Sequence, residues 1–171
     1  MNKLKIVFIF LMIVGSFSAC EKDDICVDGD TPLLIIRFYD AENRTEPKVV
    51  PGLRILGIGN DALIDTFTDR SSSLDSIGIP LKTNDPTTAF SFIMDSADDD
   101  DGNEIGNTDL ITFSYDINET FISRACGFVA NYENLDTEFE GSDEDWIQEI
   151  EITTTTVELE ETLTAHVKIF H

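Results

Sequence analysis

Basic residues are scarce. The chain of 171 residues carries 11 Lys and Arg against 34 Asp and Glu, a formal charge of −23. Nucleic-acid affinity rests on neutralising phosphates with Lys and Arg, so this shortage excludes a nucleic-acid binder. Cysteine and histidine are scarcer still, at three and two, which leaves little room for a zinc site or a Cys–His centre. No Gly-x-Ser-x-Gly elbow and no phosphate-cradling glycine loop is present. His166 and His171 fall on the last predicted strand and at its end. On these absences the chain reads as non-catalytic, with no catalytic residue and no required cofactor. It also lacks an internal repeat, a linker and a heptad pattern, and its length fits one domain.

Long apolar runs are nearly absent, and the one exception is an address. Residues 1–20 read MNKLKIVFIFLMIVGSFSAC. Lys3 and Lys5 precede an unbroken apolar run from Ile6 to Val14. A run of that length is too short for a hydrocarbon core, which needs about 20 residues. It fits the apolar segment of a secretory signal. Phe17-Ser18-Ala19-Cys20 resembles the bacterial lipobox, with Phe17 where Leu is usual. The resemblance implies cleavage before Cys20, a diacylglyceryl thioether on its sulfur and an N-acyl chain. One acyl chain binds a membrane marginally, and two or more anchor it stably. Plain secretion and a short membrane anchor are the alternatives.

Glu21-Lys22-Asp23-Asp24 follows and resembles the surface-export signal of Bacteroidota-type lipoproteins. The resemblance implies that Lys22, Asp23 and Asp24 send the protein to the cell surface. The alternative is an ordinary solvated tether on the periplasmic face of the outer membrane. The chain divides into a signal peptide (1–19), a lipidated acidic tether (20–31) and one domain (32–171). Cleavage removes Lys3 and Lys5 and leaves 9 basic side chains against 34 acidic ones, a balance of −25. Such a body is repelled by anionic lipid phosphates and should stand off the membrane.

With Cys20 taken by lipid, Cys26 and Cys126 remain as an even pair in an oxidising compartment, and we expect them to be bridged. Closing a loop of that length is worth about 4.7 kcal/mol in the chain-entropy model. Two free thiols, with Cys126 acting as a small core hydrophobe, is the alternative.

The mature chain alternates with period two and shows no helical period. Leu34, Ile36 and Phe38 share one face of a run from Pro32 to Tyr39, with Leu33 and Ile35 on the other, so burial on both faces is expected. Leu53 and Ile55 alternate next, then Ile77, Ile79 and Leu81, then Phe90, Phe92 and Met94. Ile111, Phe113 and Tyr115 alternate before Asp116-Ile117-Asn118-Glu119, which reads as a turn. Ile122, Cys126, Phe128 and Tyr132 read as one strand face. Trp146, Ile150 and Ile152 form another, and Ala165, Val167 and Ile169 close the chain. About eight short strands without helices predict an all-β fold, a single antiparallel β-sandwich of immunoglobulin-like or transthyretin-like shape. A barrel is the alternative.

Three segments together carry a family resemblance. They are Cys20-Glu21-Lys22-Asp23-Asp24-Ile25-Cys26, Leu34-Ile35-Ile36-Arg37-Phe38-Tyr39-Asp40 and Phe121-Ile122-Ser123-Arg124-Ala125-Cys126-Gly127-Phe128. The chain resembles a group of Bacteroidota lipoproteins that carry a domain of unknown function. The resemblance implies a compartment and the pairing of Cys26 with Cys126, and no activity.

Four places invite a chemical reading. Asp98, Asp99, Asp100 and Asp101 sit in an acidic loop between two strong strands, and mobile carboxylates suit Ca²⁺. An EF-hand is excluded, because a Gly102 at position six puts Ala97 at position one and Thr108 at position twelve. A solvated loop is the preferred reading. Glu133 to Asp145 holds seven carboxylates that would add to such a site if they folded beside it. Arg124, among apolar neighbours, suits an anionic ligand or, by preference, a structural ion pair or a place at a strand edge. Trp146, Tyr132 and Phe139 would make a sugar-stacking platform, with core packing preferred. The expected role is an accessory or interaction subunit that docks on an outer-membrane protein or envelope complex. The alternative is a cell-surface ligand- or glycan-binding module, assisted by Ca²⁺.

Overall fold

The computed structural model describes residues 31–59, 62–142, 144–158 and 164–171. Cys20, Lys22, Asp23, Asp24 and Cys26 lie outside them. Among the described residues there are nine strands and no helix: β1 (Leu33–Tyr39), β2 (Arg54–Gly57), β3 (Ala62–Leu63), β4 (Ser76–Pro80), β5 (Thr87–Met94), β6 (Asn107–Ser123), β7 (Gly127–Glu138), β8 (Glu149–Ile152) and β9 (Val167–Phe170). They form a four-stranded sheet in the order β4-β1-β9-β8 and a five-stranded sheet in the order β3-β2-β5-β6-β7. Neither sheet closes on itself, so the barrel alternative is set aside.

Period-two alternation places the core. Leu34, Ile36 and Phe38 on β1 are buried, as are Ile55 on β2, Ile77 and Ile79 on β4, Phe90 and Phe92 on β5, Ile111, Phe113 and Tyr115 on β6, and Val167 and Ile169 on β9. Side chains of both sheets meet in one cluster. Two cross-links tie the sheets' connections to it: the Tyr132 hydroxyl donates to the Leu81 carbonyl at 3.1 Å, and the Trp146 indole N–H donates to the Phe92 carbonyl at 3.2 Å.

Four expectations are corrected. The outer face of β1 is half-buried, not buried, because nothing packs fully over Leu33, Ile35 and Arg37. The pairing of β1 with β9 is parallel, with Ile36 opposite Val167, while the other strand pairs are antiparallel. A parallel neighbour needs a long crossover, and strands this far apart in sequence have one. Asp116 to Glu119 are not a turn but lie within β6. Ile122 to Tyr132 are not one strand, because the chain reverses between Ser123 and Gly127.

The β6–β7 hairpin is the longest element, with strands of 17 and 12 residues. Near its middle the register shifts between Ser114 and Asp116. Asn134 takes a positive φ of 53° there, and its side-chain amide donates to the Asp116 carboxylate at 2.7 Å. An extra residue on one strand bends it and steepens the twist. Beyond this bulge β6 is exposed on both faces from Asn118 to Ile122, while Val129 and Ala130 opposite it on β7 are buried, so the end of the hairpin is an arm exposed along β6 and at its turn.

Candidate functional site

Among the described residues, the arm's tip brings three exposed large apolar side chains close together in sequence. Phe121, Ile122 and Phe128 are 55%, 40% and 68% exposed. Phe121 and Phe128 sit directly opposite in the ladder, and their rings meet edge to face at 5.4 Å. Gly127 has a φ of +74° with open space where a Cβ would stand, so it is backbone conformation that favours glycine here. The Cys126 amide donates to the Ser123 hydroxyl at 3.1 Å, which tightens the reversal. Arg124 is exposed at the tip and is not a cation placed among core side chains. No Asp or Glu occurs between Thr120 and Tyr132.

Cys126 is disulfide-bonded. The chain's other cysteines, Cys20 and Cys26, both lie outside the described residues.

The acidic loop is a salt-bridged hairpin. Arg70 donates to the Asp98 carboxylate and to the Ser96 hydroxyl at 3.0 Å. Arg54 makes a two-pronged contact with Asp69 and reaches Glu104 at 3.2 Å. Burial alone would raise the Glu104 carboxyl. Hydrogen bonds from Ser96 and from the Gly106 and Ala97 amides, with Arg54 nearby, outweigh it and bring the group to about 2. Asp99 turns inward on its own loop and accepts from the Asp101 and Asn103 amides at 2.9 and 2.8 Å. Asp98, Asp99, Asp100 and Asp101 therefore do not converge, and the described residues hold no group of three or more His, Cys, Asp or Glu side chains arranged for a metal ion. Of the four, Asp98 meets Arg70 and Arg54. Arg54 and Arg70 were not legible as partners, because nothing local connects them to residues so far along the chain.

A second acidic place was also missed. Asp109 lies on the inward face of β6, 2% exposed. One carboxylate oxygen accepts from the Ile147 amide at 2.8 Å, and the other is buried without a hydrogen-bond donor. Burial pushes this carboxyl up to about 6, the Ile147 amide pulls it down, and the neighbouring Asp145 pushes it up again. The pair borders a half-open cleft of about 520 Å³, also lined by Leu110, Glu138, Phe139 and Glu140. Its part of Glu133 to Asp145 stands beside the start of β6, where the Asn107 side-chain amide donates to the Glu144 carbonyl at 3.1 Å.

The remaining expected residues are structural. Trp146 and Tyr132 are buried in the core and Phe139 packs against it, so they offer no stacking platform. The His166 ring nitrogen accepts from the Ile35 amide at 2.9 Å, and burial lowers its pKa and that of His171. His171 packs edge-on against Trp146 at 5.4 Å.

Comparison with known proteins gives one match. No curated protein and no solved structure matches the chain. Residues 52–171, from just before β2 to the last residue, match a family of unknown function (DUF6452). That span is more than half of the 171 residues, so the chain belongs to this DUF6452 family.

Proposed function

We propose that this protein is a lipid-anchored lipoprotein of the outer membrane, acting as a non-catalytic accessory or interaction subunit of an envelope complex. Cys20 carries the lipid, and Lys22, Asp23 and Asp24 direct the domain to the cell surface. The observation that supports an anchored subunit best is the place of Cys126. It sits at the tip of an exposed arm, in a disulfide, and the chain's remaining cysteines lie close together in the N-terminal segment. Pairing of Cys126 with Cys26 would clip the tether to the arm and hold the domain in one orientation. Two sheets around one core support a sandwich, immunoglobulin-like or transthyretin-like in outline, with a parallel β1–β9 pair added.

The buried polar groups support a non-catalytic role. Both histidines serve packing or backbone pairing, and the arginine–carboxylate network closes on itself.

Protease shaving of intact cells tests the placement, with a periplasmic protein as leakage control. Digestion of the wild type, and protection of a variant with Lys22, Asp23 and Asp24 replaced by Ala, is the expected result. Protection of the wild type would move the domain to the periplasmic face. A Cys20→Ala variant should leave the membrane fraction. Peptide mapping under non-reducing conditions should recover Cys26 joined to Cys126. The subunit role expects a defined crosslinked partner from the wild type that Cys20→Ala loses, and a protein that never crosslinks in cells would overturn it.

A further inference from the structure

We infer that the arm's tip is a membrane-contacting element, in which Phe121, Ile122 and Phe128 insert into the interface of the bilayer that holds the lipid anchor. The inference rests on the lipid-anchored reading above. Three observations carry it. The tip exposes two paired aromatic rings and an aliphatic side chain. It is free of carboxylates from Thr120 to Tyr132, with Arg124 as its only charge. The molecule as a whole carries −23, so most of its surface is repelled by lipid phosphates, and the arm's own residues, unlike Glu21, Asp23 and Asp24 of the tether, add nothing to that repulsion.

The third observation is distance. Cys126 belongs to the same tip and is disulfide-bonded. With Cys26 as its partner, six residues of chain separate the tip from lipidated Cys20, and they reach about 20 Å at full extension. The tip then cannot leave the neighbourhood of the bilayer. Aromatic and aliphatic side chains that are exposed and held there gain by entering the interface, where apolar area leaves water.

The test uses the full lipidated chain in phosphatidylcholine vesicles, a fraction of which carry bromine on the acyl chains near the headgroup. Phe128→Trp reports from the tip. Leu63→Trp reports from β3, at the opposite edge of the five-stranded sheet, where Leu63 is also exposed. Both positions tolerate the larger ring because they face solvent, and unsubstituted protein corrects for buried Trp146. Flotation with the vesicles is read in the same samples. The expected result is flotation of both variants, with bromine-dependent loss of fluorescence from position 128 and not from position 63. Flotation without loss at 128 would overturn the tip contact while leaving the anchor in place. Equal loss at both positions would overturn it in favour of a body lying flat. Absence of flotation would overturn the anchor and this inference with it.

Discussion

One carboxylate oxygen of Asp109 is buried without a hydrogen-bond partner. Its carboxyl is raised from 3.8 to about 6 by burial first and by Asp145 beside it. The folded state therefore holds this proton more tightly than the unfolded state. Stability from this group is fully present below about pH 4 and is lost as pH rises towards 6. A shift of that size corresponds to roughly 2–3 kcal/mol. Asp109→Asn keeps an acceptor for the Ile147 amide and offers an N–H towards Asp145. Urea melts should show the variant more stable than the wild type at pH 7, with a flatter profile between pH 4 and 6. An unchanged profile would show that Asp109 ionises without penalty. Glu104 works in the opposite sense. Its carboxyl lies near 2, so its contribution is complete above about pH 4.5 and fades as pH falls towards 2.

At the scale of elements, burial separates residues of identical type. Phe113 on β6 is fully buried, whereas Phe128 on β7 faces solvent. Phe113→Ala should cost about 3–5 kcal/mol in chemical denaturation, and Phe128→Ala no more than about 0.5 kcal/mol. A large loss at position 128 would mean that the arm is packed against something in solution. Gly106, at the entry to β6, is fixed by space. A Cβ there would stand 2.6 Å from an Ile93 methyl and 2.8 Å from the Met94 carbonyl oxygen. Gly106→Ala should lower stability by about 1–3 kcal/mol, measured by the same melts.

The same scale shows why some elements were legible and others were not. Leu34, Ile36 and Phe38 alternate because one face of β1 meets the core, and that contrast is written in the residues themselves. The arm has no such contrast. Beyond the bulge only Ile117 still packs against the core, so Asp116-Ile117-Asn118-Glu119 has the polarity of a turn while remaining in the ladder. Ile122, Cys126 and Phe128 mimic one strand face across a real reversal, and the telling signal was Gly127 with its positive φ. Asp109 left no local trace, because its partners Asp145 and Ile147 belong to a distant segment. The acidic loop's composition was plain from the residues, but its arginines could be found only in three dimensions.

For the whole molecule, charge of one sign is the dominant long-range term. With 34 acidic residues and 11 basic ones, self-repulsion opposes the compact state and salt relieves it. Raising ionic strength from about 0.01 to 0.15 M shortens the screening length from about 30 to 8 Å. The melting temperature should therefore rise with NaCl over that range. A fall would show that the Arg54 and Arg70 network outweighs the general repulsion.

The position of β9 also sets a timetable. It lies between β1 and β8, and the His166 amide and ring bond to Ile35, 131 residues earlier. A strand at the start of the domain must therefore wait for a strand at its end before its sheet is continuous. Pairing over such separations closes slowly. During synthesis the core strand β1 keeps an unfilled edge until Val167–Phe170 has emerged, so the finished sheet is assembled only after the whole domain has been made.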